Sequence, residues 1–382
     1  MKPQLIDLFA GAGGFTLGAY QAGFSTALAV DNDQNLTHSF PINFPGSKLL
    51  HADISRADPK ALLSVAGMRR CDVSGIVGGP PCQGFSAIGL RSPRDNRNHL
   101  VRDFFRFVRA IEPSFFVMEN VPGILNEPFA KVLYDGLDSV SSKYEFVGPL
   151  RLNAVDFGAP TSRTRAIVIG YRPDLVGALT EKDFEAVKVR NQRTVFEAMH
   201  DLPSPGAGFE DEHGVFWTKY ANHPIGGERG EYARWARREP PAGLSARWVR
   251  QAHLRGMVSC LRPTTHTAGV IARFANVPSA EREPISRCPR LAWDKPGPTL
   301  RAGTGKDHGS HQAIRPIHPT EARVITAREA ARLQGFPDWF QFHPTKWHSF
   351  RMIGNSISPV LAATVLKVVR VRLNSIRYLV RA

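Results

Sequence analysis

The chain has 382 residues, with 49 Lys and Arg against 34 Asp and Glu, a formal net charge of +15, and 42% hydrophobic residues. That length leaves room for about two to three domains and a sizeable core, and only four cysteines in so long a chain exclude a short secreted disulfide scaffold. The basic surplus suits a polyanionic partner, most often nucleic acid, and equally a basic surface that serves only solubility.

Residues 1–6 enter an apolar, strand-like run without the charged start and long apolar stretch of a signal peptide. No uninterrupted apolar stretch reaches the roughly 18 residues of a bilayer span, so the expectation is a soluble cytoplasmic protein without membrane contact. Cys71, Cys82, Cys260 and Cys288 form no Cys-x-x-Cys pair, which suits a reducing compartment and predicts no metal site.

Strands are expected at 4–9, 26–31, 73–78, 114–119 and 166–171. Most are apolar on both faces, as buried parallel strands are, and the connections are long enough for helices. This pattern predicts a doubly wound, Rossmann-like α/β domain over residues 1–171. Its first strand ends in the run Asp7-Leu8-Phe9-Ala10-Gly11-Ala12-Gly13-Gly14. A glycine-rich turn at that place lets a nucleotide-like ligand approach the backbone. Thr16 stands where a dinucleotide fingerprint has its third glycine, while Asp31, at the end of the next strand, is placed to hold ribose hydroxyls. Asp53 closes a further strand-like segment. With no lysine placed for phosphates, an adenosine ligand without pyrophosphate fits best.

The strand at 73–78 runs into Gly78-Gly79-Pro80-Pro81-Cys82-Gln83-Gly84-Phe85-Ser86, which puts a cysteine beside the expected crevice. A buried inert thiol is the default for the other three cysteines. The strand at 114–119 delivers Glu119, an acid that an apolar strand does not carry without a reason. After Tyr171 periodicity fades and Pro and Gly rise. Residues 229–273 hold 9 Arg and 2 Glu, with Trp235, Trp248 and Phe274 interleaved. A smaller, irregular domain is expected at 172–323. A helix with a capping box from Thr326 to Glu329 then ends at Gly335, and a last helix at 359–373 follows Gly354-Asn355-Ser356.

These blocks, with Arg163-Thr164-Arg165 and the run from Arg328 to Pro337, occur in one order, and together the chain resembles the DNA (cytosine-5)-methyltransferase family of bacterial type. The resemblance implies S-adenosylmethionine as methyl donor and a cytosine flipped out of double-stranded DNA at a specific sequence. It assigns catalysis to Cys82, as the nucleophile at carbon 6, and to Glu119, Arg163 and Arg165. As two arginines two residues apart on a strand-like segment, Arg163 and Arg165 are expected to point one way together. It implies a cofactor pocket of Phe9, Ala12, Gly13, Gly14, Asp31, Asp53, Ile54, Pro81, Leu100, Asn355 and Ser356. The basic, glycine-hinged segment 86–97 reads as a loop that closes on DNA, with Gln83, Ser86, Arg91, Arg94 and Arg97 as contacts. Residues 172–323 fall where the family keeps its target recognition domain, with Thr299, Arg301 and Gly303 as expected base-reading positions, and 324–382 return to the catalytic domain. The resemblance also implies a monomer, with a restriction endonuclease as functional partner where the enzyme is half of a restriction-modification pair. A tRNA-methylating member of the same family and an inactive DNA-binding homologue stay open on the sequence alone.

Overall fold

The computed structural model describes residues 2–81, 99–206, 208–220, 226–227, 230–302 and 315–379. Seven strands form the main sheet: β1 (Gln4–Leu8), β2 (Ser25–Asp31), β3 (Lys48–His51), β4 (Val73–Gly78), β5 (Phe115–Asn120), β6 (Glu145–Asn153) and β7 (Thr164–Tyr171). Their order is β3-β2-β1-β4-β5-β7-β6. Helices α1 (Gly14–Gln21), α2 (Gln34–Thr37), α3 (Phe40–Asn43), α4 (Pro59–Ala66), α5 (His99–Ile111) and α6 (Ala130–Asp138) lie in the connections.

The first five strands are parallel, but β7 pairs antiparallel with both β5 and β6. The expectation of a parallel strand at 166–171 is thereby corrected. A run buried on both faces, as Ala166, Ile167, Val168 and Ile169 are, states that a strand is central and carries no information about its direction. The edge strand β6 lies outside the expected set. Its burial alternates imperfectly, and Gly148-Pro149 interrupts the register between Val147 and Leu150.

Both faces of the sheet are covered. On one, Phe104 and Phe105 of α5 meet Phe116 of β5 edge-on, with ring centroids 5.9 and 5.7 Å apart. On the other, α1 packs against the long C-terminal helix, α14 below, at Gly18, where a Cβ would lie 2.6 Å from the Cβ of Ala362. Deep in β1, Asp7 is 1% exposed; its Oδ2 accepts from the Thr16 hydroxyl at 2.7 Å while its Oδ1 has no hydrogen-bond partner.

Beyond Tyr171 the chain forms short helices α7 (Glu181–Glu185), α8 (Val195–Met199), α9 (Glu231–Ala236), α10 (Arg247–Leu254) and α11 (Ala268–Ala275). A small antiparallel sheet, β8 (Phe209–Glu210), β9 (Phe216–Lys219) and β10 (Met257–Ser259), has the order β10-β9-β8. The chain then returns through α12 (Ala327–Gln334), α13 (Lys346–Asn355) and α14 (Pro359–Leu379). The Thr326 capping box and the left-handed Gly335 close α12 as expected. The run Lys346–Leu373 is apolar enough to cross a membrane by composition, yet its most apolar window is 72% buried within the fold, as in a core helix.

Every residue of α12 is buried, including two arginines one turn apart. Arg328 donates to the carbonyls of Ser259, Pro337 and Phe340 at 2.8–3.0 Å and to the Ser259 hydroxyl. Arg332 lies between Asp338, at 2.6 Å through two nitrogens, and Asp201, at 2.7 and 3.1 Å, and also donates to the Ala198 carbonyl. Asp201 is shared with Arg237 at 2.7 Å, and the Tyr220 hydroxyl donates to Asp338.

Two stability measurements follow from these buried charges. Arg332→Met leaves buried Asp338 without a cation and Asp201 with Arg237 alone, and should cost about 3–5 kcal/mol in urea unfolding; a loss below about 1 kcal/mol would show that the network is dispensable. Burial pushes the Asp7 carboxyl up to about 7, against the pull of the Thr16 hydrogen bond, whereas in an unfolded chain it titrates near about 4. Because the folded pKa is the higher one, the stability it contributes is full below about pH 4 and is lost as pH rises through about 7, at roughly 1.4 kcal/mol per pH unit. Asp7→Asn should therefore fall less steeply in stability than the parent over that window, and parallel curves would contradict the assignment.

Candidate active site

The carboxyl ends of β1, β2 and β3 meet at the glycine turn. Phe9 leaves β1 with φ 61°, a left-handed conformation that is an outlier for a bulky side chain, and its ring stays half-exposed beside the crevice. The Gly11 N–H donates to Asp31 Oδ2 at 2.8 Å, and the Asp33 N–H donates to Asp31 Oδ1 at 2.8 Å. Burial pushes the Asp31 carboxyl up, against the N–H groups of Asp33 and Gly11. A Cβ on Gly11 would meet nothing within 4 Å, so the turn opens on free space beside that carboxylate. A half-exposed aromatic ring and an acid at the ends of neighbouring strands, beside an open glycine turn, are groups suited to the base and ribose of an adenosine-type ligand.

Gly13 and Gly14 are tight instead. A Cβ on Gly13 would lie 2.4 Å from the Phe44 ring, and one on Gly14 would lie 2.1 Å from Ser356 Oγ. Gly14 therefore brings Ser356, from the far end of the chain, into the turn, with Asn355 exposed next to it. Ala12 and Ile54 are buried, and the Ile54 carbonyl is held by Arg106 at 2.5 Å. Asp53 is exposed; its carboxylate accepts from the Ser55 hydroxyl and N–H, which pull its pKa below the usual carboxylate range. Pro81 and Leu100 are half-buried at the two ends of the segment 82–98. Cys82, Gln83, Ser86, Arg91, Arg94, Arg97 and Gly303 lie outside the described residues.

The chain that leads to Cys82 is nevertheless fixed up to Pro81. The Asn120 side chain donates to the Pro80 carbonyl at 3.2 Å. Gly79 leaves room for the neighbouring acid: a Cβ there would stand 2.9 Å from Glu119 Oε2. Glu119 is 8% exposed and its Oε1 lies 2.6 Å from Arg165 Nε. A buried carboxylate-guanidinium pair thus stands at the edge of the sheet where the segment bearing Cys82 begins.

Arg163 and Arg165 take different partners. Arg163 precedes β7, its N–H is held by Asn153 Oδ1 at 2.8 Å, and its guanidinium donates to the carbonyls of Leu300 at 3.1 Å and Gly354 at 2.7 Å. Arg163 is 2% exposed and joins three remote stretches of chain, a role that the sequence does not announce. Thr299 also serves as a tether, its hydroxyl donating to the Ser162 carbonyl at 2.6 Å, whereas Arg301 is exposed. Asn120 and Gly79 are further site residues absent from the expected set; both sit in blocks singled out for their neighbours.

Residues 4–370 match the family described as C-5 cytosine-specific DNA methylase. The chain is similar to the type II methyltransferase M.XorII of Xanthomonas oryzae pv. oryzae, 39% identical over 95% of this chain and 84% of that protein. It is also similar to M.DdeI of Desulfomicrobium norvegicum, 31% identical over 94% and 86%. Among solved structures, an E. coli prophage-encoded protein described as a DNA modification methyltransferase superposes with a TM-score of 0.83 at 36% identity, covering 97% of this chain and 99% of that one. The S. pombe Dnmt2 methyltransferase, at 16% identity and a TM-score of 0.61 over 98% and 100%, shares the fold. A family match that spans both sheets and the returning helices, over a crevice with the buried Glu119-Arg165 pair at its edge, makes this chain a member of the C-5 cytosine-specific DNA methylase family and a DNA (cytosine-5)-methyltransferase.

Proposed function

We propose that the enzyme methylates a flipped-out cytosine within a specific double-stranded DNA sequence through a covalent bond to Cys82. The observation that carries the reading is the Glu119-Arg165 pair, 2.6 Å apart and buried, beside the strand end that continues into Cys82. Carbon 5 of cytosine is a poor nucleophile until carbon 6 is saturated. Addition of the Cys82 thiolate at carbon 6 pushes electron density toward ring nitrogen 3 and the carbonyl oxygen. Glu119 supplies a proton at nitrogen 3 and grips the exocyclic amine, while Arg165 keeps hold of Glu119 and faces the carbonyl oxygen. Carbon 5 then carries enamine character. After methylation there, water takes the carbon 5 proton, the Cys82 thiolate leaves carbon 6, and nitrogen 3 returns its proton to Glu119, which restores the ring. Arg163 contributes from behind, as a positioning residue that fixes the start of β7 against Leu300 and Gly354.

The family uses S-adenosylmethionine, which supplies an electrophilic sulfonium methyl group. The residues that would hold it are Phe9 against the base, Asp31 on the ribose, Asp53 and Ile54 at the base edge, and Ala12, Gly13 and Gly14 along the chain. Pro81, Leu100, Asn355 and Ser356 would close the pocket. Residues 172–323 act as the target recognition segment, and Gln83, Ser86, Arg91, Arg94 and Arg97 follow the DNA as the loop closes. Arg301 and Gly303 read the target from the far side, with Thr299 holding that stretch in place. Type II relatives support an enzyme that modifies DNA as one half of a restriction-modification pair, a monomer acting in the cytoplasm with a cognate endonuclease as functional partner.

Cys82→Ser should abolish methyl transfer while sparing DNA affinity, and DNA carrying 5-fluorocytosine at the target should trap the parent enzyme in a denaturation-resistant complex. Turnover within about tenfold of the parent, or no trapped complex, would overturn the covalent route. Asp31→Ala should weaken S-adenosylmethionine binding by roughly 1–3 kcal/mol in calorimetry through lost charge-assisted hydrogen bonds; unchanged affinity would move the cofactor elsewhere.

A further inference from the structure

The loop that follows α11 is built around a buried acid. Glu283 is 0% exposed, although it lies in a surface turn of a basic segment. Its carboxylate accepts from the Ile285 N–H at 3.1 Å, from the Ser286 N–H, and from Arg273 Nε at 3.1 Å. The backbone closes the same turn twice, the Glu283 N–H donating to the Cys288 carbonyl at 2.9 Å and the Arg287 N–H to the Glu283 carbonyl at 2.9 Å. Arg287 takes φ 61°, and Arg282 reaches across to its carbonyl at 3.3 Å. Beneath, Cys288 packs with Phe274, Val277, Ile317 and Val324. A carboxylate so enclosed, held by three donors, makes the turn rigid before any partner arrives.

What the rigid turn displays is apolar. Ile285, at its tip, is 72% exposed, the most exposed large hydrophobic side chain among the described residues. Arg282 and Arg287 flank it in sequence, both exposed, with one exposed acid, Glu281, preceding Arg282. An exposed isoleucine on a rigid turn with an exposed arginine on either side of it in the chain, on an enzyme whose substrate is DNA, matches the major groove: phosphates for the arginines and, for the isoleucine, the one apolar group that base edges offer there.

We infer that Ile285 reads the 5-methyl group of a thymine in the target sequence, presented by the turn that Glu283 holds. This rests on the proposal that residues 172–323 face the target DNA. The target therefore contains at least one thymine whose methyl group contributes to recognition.

With the target located by bisulfite sequencing of DNA from cells expressing the enzyme, each thymine in it is replaced in turn by deoxyuridine, which removes only the methyl group. The parent enzyme should lose roughly three- to tenfold in kcat/KM and in DNA affinity at one such position. Ile285→Ala should lose as much on the unmodified site and show no further loss on the deoxyuridine site, with an unchanged Tm because the side chain is exposed. Ile285→Val should keep most of the discrimination. A target without thymine, a parent enzyme indifferent to every replacement, or an Ile285→Ala protein that keeps the parent's dependence on the methyl group would each overturn the inference. Arg287→Ala separates this from failure of the underlying proposal: weaker binding to every DNA leaves the segment on the DNA, whereas Arg287→Ala and Ile285→Ala both binding all DNA as the parent does would remove it from the interface as well.

Discussion

Three guanidinium groups hold together parts of the chain that are far apart in sequence. Arg328 reaches Ser259, Pro337 and Phe340; Arg332 binds Asp201 and Asp338; Arg163 takes the carbonyls of Leu300 and Gly354. All three are at most 2% exposed. Arginine suits this work because a planar fork with five donors stays charged when buried and can serve several carbonyls or carboxylates at once. Carbonyls from irregular backbone must find donors somewhere, and here they find them on the returning helix α12 and at the start of β7. The irregular segment is thus fixed by polar contacts that hold only in one arrangement.

The direction of β7 gives Glu119 its partner. Strands β1, β4 and β5 all end at one edge of the sheet, where the glycine turn, the Gly78–Pro81 stretch and Glu119 lie. A parallel β7 would begin at the opposite edge, far from them. Because it runs antiparallel, its first residues lie beside the last residues of β5, with Ala166 opposite Asn120 and Ile167 opposite Glu119. Arg165 therefore reaches Glu119, and Arg163, just before β7, ties down the carbonyls of Leu300 and Gly354. One reversal of strand direction supplies both the partner of the acid and the anchor of two remote stretches of chain.

The sequence made the glycine turn, Asp31, the Glu119 strand and the α12 capping box legible, because each is a local pattern whose physics acts within a few residues. Strand β6 was less visible, since an edge strand interrupted by Gly148-Pro149 keeps neither a clean alternation nor an apolar run. The partners of Arg163 were invisible for another reason: Leu300 and Gly354 lie 137 and 191 residues away, and no local spacing encodes such contacts. Gly79 and Asn120 were present in quoted blocks, but their roles depend on a neighbouring strand.

Residues 172–323 have little core of their own among the described residues. Val195, Ala198, Tyr232, Leu244, Leu291 and Leu300 bury themselves in one cluster with Phe40, Phe44, Leu333 and Phe336 from the catalytic part. Val176, Leu179 and Phe184 join the cluster on the main sheet, and two small satellites stand apart, one of Val215, Trp217 and Val249 under the three-stranded sheet, the other of Phe274, Val277, Cys288, Ile317 and Val324 under the Glu283 turn. Each satellite needs only a few apolar side chains because the buried arginines and the shared cluster already fix its base. Side chains displayed above a satellite, such as Ile285, contribute almost nothing to folding. Substitution at such a side chain leaves the cluster beneath it and the buried Glu119-Arg165 pair as they are.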